Sequence, residues 1–200
     1  MRNIAIFASG SGTNAENIIK YFSNKDTGKV SIVLSNKRDA LVLKRAAMHK
    51  VKSVFFDRND FYNSGKVIEY LQSNNINLIV LAGFLWLVPD KILSLYPGRV
   101  INIHPALLPL YGGKGMYGDK VHKAVISNHD KESGITIHYV NNQYDAGDII
   151  FQARCIVDES DTPDSLAVKV HALEYEYYPG VIETLLKNMP EKDLKSMEKT

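Results

Sequence analysis

The sequence predicts an α/β domain built on an open, mostly parallel sheet, with helices on both faces and additional C-terminal strands. Three observations carry this expectation. Short runs rich in Ile, Val and Phe recur through the first half of the chain. Helix-like segments separate them, and strand alternating with helix is the mark of parallel βαβ units, which makes this half Rossmann-like. The 200 residues are 45% apolar and 23% charged, the composition of one ordinary globular domain.

In order, strands are expected over Asn3–Ala8, Val30–Ser35, Ser53–Phe56, Leu78–Ala82 and Val100–His104. The segments between them, Thr13–Ser23, Ala40–His49, Asp60–Ser73 and Pro89–Leu95, are expected to be helices. After a glycine-rich stretch, Gly112–Gly118, the pattern predicts a helix over Asp119–Asn128 and two added strands, Ile135–Val140 and Ile149–Val157. Thr162, Pro163 and Asp164 form a helix start. That last helix is expected to reach about Lys187, kinked at Pro179. One domain over 1–190 follows, with 191–200 a charged, frayed tail.

Twenty-four basic residues against twenty-two acidic ones leave a net charge of +2, which points to a small-molecule partner rather than a nucleic acid or a membrane surface. No run approaches the roughly 18 to 20 apolar residues of a membrane span, and no signal peptide is expected. A chain of this length buries about 70% of the surface it exposes when unfolded, enough for a core without disulfides. The single Cys155 excludes an internal disulfide or a Cys-rich zinc site, and it fits a reducing, cytoplasmic setting. It alternates with Phe151, Ala153 and Val157, as a core cysteine does.

The first strand empties into Ser9-Gly10-Ser11-Gly12-Thr13-Asn14-Ala15, where two glycines allow a tight backbone ahead of a helix. Free N–H groups and the positive helix end make this an anion site. Gly10, Gly12 and Ala15 also satisfy the dinucleotide pattern G-x-G-x-x-G/A, so an NADP-dependent oxidoreductase or a nucleotide-sensing Rossmann module is a second reading. The acidic ribose ligand expected after the second strand is replaced by Ser35-Asn36-Lys37-Arg38, whose bases could meet a 2′-phosphate.

Asn102 and His104 stand two apart in Val100-Ile101-Asn102-Ile103-His104-Pro105, so in a strand both project from one face while Ile101 and Ile103 pack opposite. Ligands bind at the carboxyl ends of strands in open α/β sheets, and Asn plus imidazole there can donate hydrogen bonds to a developing oxyanion. The dinucleotide reading leaves this pair unexplained. His104, His122 and His138 lack metal-ligand spacing, so no metal is expected.

The run Asn102-Ile103-His104-Pro105-Ala106-Leu107-Leu108-Pro109, with Ser9-Gly10-Ser11-Gly12-Thr13-Asn14 and Ala82-Gly83-Phe84, resembles the folate-dependent formyltransferases over residues 2–187. Within that family it is most similar to the branch whose acceptor is glycinamide ribonucleotide. The resemblance implies that the glycyl amine attacks the formyl carbon of the co-substrate 10-formyltetrahydrofolate without a metal or a covalent enzyme, as a step of de novo purine biosynthesis. It further implies that Asn102 and His104 stabilise the oxyanion and that Asp145, in Gln143-Tyr144-Asp145-Ala146-Gly147, supports the histidine and the proton transfers. A carboxylate beside imidazole raises its pKa, and a protonated His104 is therefore expected.

By the same resemblance Gly10, Ser11, Gly12, Thr13, Asn14 and Glu174 hold the ribonucleotide, with Lys169 and Arg58 as candidate companions to its phosphate. Leu85, Trp86, Leu87 and Val88 form an apolar wall for the reduced folate, although the family often carries Arg at the place of Trp86. Thr136 and His138 match further active-site positions, and Gly112–Gly118, leading to Val121-His122, matches a mobile active-site loop. A tRNA-acting relative would need a C-terminal domain and a hydrolase an N-terminal regulatory one, so neither is expected.

Overall fold

The computed structural model describes residues 1–190, and the tail expected over 191–200 lies outside the described residues. One seven-stranded sheet runs in the order β3-β2-β1-β4-β5-β6-β7. Strands β1 (Arg2–Phe7), β2 (Gly28–Ser35), β3 (Lys52–Phe55), β4 (Ile76–Leu81) and β5 (Val100–His104) are mutually parallel. The added strands β6 (Glu132–Tyr139) and β7 (Ile149–Ile156) join antiparallel.

Alternation along β1 divides the core in two. Ile4 and Ile6 pack with α1 (Thr13–Phe22), α2 (Leu41–Met48), α6 (Asp119–Ser127) and α7 (Pro163–Asn188) on one face. Ala5 and Phe7 pack on the other face with α3 (Arg58–Tyr62), α4 (Lys66–Ser73) and α5 (Asp90–Leu95). Every residue of β4 is buried, as an interior parallel strand covered on both sides requires. No helix among the described residues is long and apolar enough to cross a membrane.

Two departures from expectation stand out. The helix expected over Asp60–Ser73 is two, α3 and α4, because Asn63-Ser64-Gly65 interrupts it with Gly65 at φ +80°. Asp57 and Asp60 cap α3 reciprocally. Strand β6 starts earlier than Ile135 and includes Gly134, where a Cβ would lie 2.0 Å from the Ala153 carbonyl oxygen. Glycine there permits close strand approach rather than ending the strand.

The capping residues of α7 are Thr162 and Ser165, and the helix continues through Pro179 to Asn188. Proline has no N–H for the carbonyl four residues back, which is that of Tyr175. Asn17 of α1 supplies the missing donor at 2.9 Å, tying the two helices together. Asn17→Ala is expected to lower stability by about 0.5–1 kcal/mol, because water can replace this exposed bond, as read from the denaturant midpoint.

The strand order reverses direction between β1 and β4, the place where an open α/β sheet forms a crevice. Backbone bonds from Ser9 N–H to Gly83 O (2.9 Å) and from Ala82 N–H to Phe7 O (2.9 Å) hold the loops after β1 and β4 side by side there.

Candidate active site

Helix α1 begins at Thr13, after Gly12 at φ +77°, and no side chain caps it. The N–H groups of its first turn are therefore left for a ligand. The turn is held from behind. A Cβ on Gly12 would lie 2.4 Å from Val42 of α2, so only glycine lets the helix back onto the loop. Arg45 of α2 donates to Ser11 O at 3.0 Å and pairs with Glu16 of α1. Lys20, His49 and Arg45 together hold the Glu16 carboxyl at about 2. Ser9 Oγ accepts from Leu85 N–H at 3.1 Å, joining the glycine loop to the Leu85 segment.

Asn14 and Glu174, distant in sequence, meet across α1 and α7. Asn14 Nδ2 donates to Glu174 Oε2 at 2.8 Å, and His171 Nδ1 lies 2.8 Å from the same oxygen. The Glu174 hydrogen bond raises the His171 pKa above the ordinary histidine value. His171 was not singled out in the sequence, although its i,i+3 spacing to Glu174 on a helix was a usable signal.

At the carboxyl end of β5, Asn102 pairs in register with His138 and His104 with Thr136. Asn102 Nδ2 donates to His138 Nε2 at 3.1 Å and stands 3.5 Å from Asp145 Oδ1. His138 turns Nδ1 toward Tyr139 O at 2.8 Å, which puts its proton there and leaves Nε2 as the acceptor. His104 Nε2 lies 2.7 Å from Tyr111 O, and its Nδ1 lies 3.6 Å from Asp145 Oδ2. Gly113 N–H donates to Asp145 Oδ2 at 3.0 Å, so the glycine-rich segment is bonded to the same carboxylate. Tyr111 and Asp145 have φ of +55° and +53°, a sparsely populated conformation that aims one carbonyl and one carboxylate at His104.

The expectation of a protonated His104 is corrected. Burial pushes its pKa below the ordinary histidine value, and the pull of Asp145 and Tyr111 O in the other direction does not overcome that. The sign of the Asp145 effect was legible, but the depth of the imidazole was not. Burial acts on Asp145 in the opposite direction and would raise it, but His138, His104 and the Gly113 N–H hold it below its ordinary value.

Thr136 is fully buried and does not line the cavity. Its hydroxyl donates to Ala106 O (2.7 Å) and accepts from Leu108 N–H (2.9 Å), so it shapes the turn after Pro105 instead of meeting a ligand. Gln152, which the sequence reading missed, adds bonds to Leu108 O and Thr136 Oγ1.

Two cavities meet at this centre. The larger, about 460 Å³, runs from the Gly10–Asn14 turn past Leu85 to His104, His122 and the His171–Glu174 pair. The smaller, about 50 Å³, is walled by Trp86, Leu87 and Val88 with His138. Phe84, Asn102, Tyr144 and Asp145 belong to both. Trp86 sits among Phe56, Phe61, Tyr62 and Phe84, and the Arg58 guanidinium lies 5.8 Å from its ring centre and 5.0 Å from that of Tyr62. Neither candidate phosphate companion lines the larger cavity: Arg58 stacks on these rings, and Lys169 is held by Asp158 and Asp161 at 2.6 Å each. Arg38 lies over the Phe55 ring at 4.5 Å. Cys155 packs on the core, and burial raises its thiol pKa.

An uncapped helix N-terminus, the cluster of Asn102, His104 and Asp145 and an adjoining aromatic-walled cavity stand together at the crevice of an open α/β sheet, where such folds bind their ligands. The chain belongs to the formyl transferase family, whose model matches residues 2–182. It is 35% identical over 191 residues to the phosphoribosylglycinamide formyltransferase of Bacillus subtilis, covering 93% of this chain and 95% of that protein. It is 36% identical over 187 residues to the chloroplastic phosphoribosylglycinamide formyltransferase of Arabidopsis thaliana, covering 90% of this chain but 64% of that longer protein. Among solved structures, the phosphoribosylglycinamide formyltransferase of Bacillus halodurans superposes with a TM-score of 0.83 at 35% identity, covering 94% of this chain and 96% of that one.

Proposed function

We propose that the protein transfers the formyl group of 10-formyltetrahydrofolate to the amine of glycinamide ribonucleotide, in de novo purine biosynthesis. The observation that carries this reading is the placement of Asn102 and Asp145 in the wall between the two cavities, one of which opens onto an uncapped helix N-terminus. Phosphate takes the first-turn N–H groups of the Gly10–Asn14 turn, and the ribose takes Glu174 beside Asn14. The folate ring lies against residues 85–88. A reducing, cytoplasmic setting suits the free Cys155.

The glycyl nitrogen attacks the formyl carbon and forms the new C–N bond while the carbonyl electron pair moves onto oxygen. Collapse of this oxyanion breaks the bond to the folate nitrogen, which leaves protonated as tetrahydrofolate, and the proton lost by the amine passes through the His104–Asp145 pair. Both oxyanion donors hold protein partners in the structure, His104 at Tyr111 O and Asn102 at His138. The oxyanion replaces these partners, so hydrogen bonds to it form at full strength only as charge develops.

The test is a spectrophotometric assay of tetrahydrofolate release. Release is expected only with both substrates present, and calorimetry is expected to show inorganic phosphate competing with glycinamide ribonucleotide but not with the folate. Release without the acceptor would make the protein a hydrolase, and tight NADP binding unaffected by the ribonucleotide would overturn the assignment of the glycine turn.

A further inference from the structure

Helix α6 carries His122 on its buried face, between Val121 and Val125, at the wall of the larger cavity. His122 is 1% exposed, and its Nδ1 is sealed with no hydrogen-bond partner. A neutral imidazole has one N–H and one lone pair. A proton on Nδ1 would bury a donor with nothing to receive it, so the proton belongs on Nε2. Nε2 is not sealed in this way, and among the described residues no acceptor engages it. Its N–H is therefore offered to the cavity.

The neighbours agree. Burial, reinforced by His171 with its ring centre 6.4 Å away and edge-on, holds His122 below the ordinary histidine range against the opposing pull of Glu174 and Asp119. One uncharged N–H thus faces the cavity near neutral pH, beside the His171–Glu174 pair.

We propose that His122 binds the acceptor by donating its Nε2–H to the glycyl carbonyl oxygen. This rests on the acceptor assigned above. With phosphate at the Gly10–Asn14 turn, ribose at Glu174 and the amine at Asn102 and His104, the neutral hydrogen-bond acceptor between ribose and amine is that carbonyl. An uncharged single donor matches it, whereas the phosphate is already served by the helix N-terminus.

The experiment compares His122→Phe, which keeps a ring without a donor, with His122→Gln and His122→Asn. The Gln amide nitrogen reaches about as far as Nε2, and the shorter Asn amide does not. His122→Phe and His122→Asn are expected to raise the KM for glycinamide ribonucleotide roughly tenfold, the loss of about one neutral hydrogen bond. The KM for the folate and inhibition by inorganic phosphate should be nearly unchanged, and His122→Gln should recover most of the loss. An acceptor analogue with methylene in place of the carbonyl should bind wild type and His122→Phe alike. A folded His122→Phe or His122→Asn with wild-type acceptor KM, or an equal penalty on the analogue, overturns the inference. The Gln and Asn pair decides the matter should the Phe variant not fold. A wild-type protein that does not formylate glycinamide ribonucleotide overturns the proposed function and this inference with it, a result distinct from an active enzyme indifferent to His122.

Discussion

Replacing His104 by alanine is expected to lower kcat by roughly 10² or more, the scale found when one preorganised oxyanion donor is removed. The KM values should move little, because His104 Nε2 faces Tyr111 O and, in the proposed mechanism, takes a new partner only as charge develops on the formyl oxygen. The substitution leaves the sheet intact, since the β5 ladder is formed by backbone groups and the apolar contacts come from Ile101 and Ile103 on the other face. Steady-state kinetics with a circular-dichroism control of folding is the measurement. A folded variant with near-normal kcat would remove His104 from the reaction.

Asp145→Asn is expected to reduce turnover about tenfold or more at neutral pH and to move the titration of His104 to lower pH. The backbone tolerates this change, because asparagine adopts the left-handed region in which Asp145 sits at φ +53°. The amide oxygen can still accept from Gly113 N–H, while the amide nitrogen replaces the oxygen that faces Asn102 Nδ2 at 3.5 Å, so the change removes the charge and that long contact. Burial already depresses the His104 pKa, and the Asp145 carboxylate offsets part of that. Removing the anion leaves burial less opposed, so imidazolium is lost at a more acidic pH than in the wild type. Asp145 itself is held below its ordinary value, so it remains ionised near neutrality and contributes no limb to the rate profile there. NMR titration of the His104 ring in both proteins, paired with pH–rate profiles, reads the effect. An unchanged titration with normal turnover would reduce Asp145 to a turn residue.

The parallel half of the fold was legible because each of its strands is an apolar run bounded by a helix, a local signal that tertiary contacts only reinforce. Asn102 and His104 were legible for a similar reason: strand periodicity alone places i and i+2 on one face. The meeting of His104 with Asp145 was reached only through the family motif, since the backbone geometry that unites them is a turn at positive φ with no periodic signature. The same limit explains Tyr111, whose part is played by its carbonyl, a group every residue has.

Local order and chemistry were therefore determined by the sequence itself: the alternating elements, the glycine turn ahead of α1, and a polar pair ending a buried strand. Only the tertiary structure decided depth and partnership. It set Lys169 in an ion pair with Asp158 and Asp161, turned Thr136 inward to shape a turn, and let Pro179 stay within a helix by giving Tyr175 O to Asn17. It also buried His104 and His122 enough to depress both. The physical reason is one of range. Periodicity and turn chemistry act over a few residues, whereas desolvation and the pairing of Asn14 with Glu174 join groups up to 160 positions apart, whose distances are set by how the helices pack on the sheet.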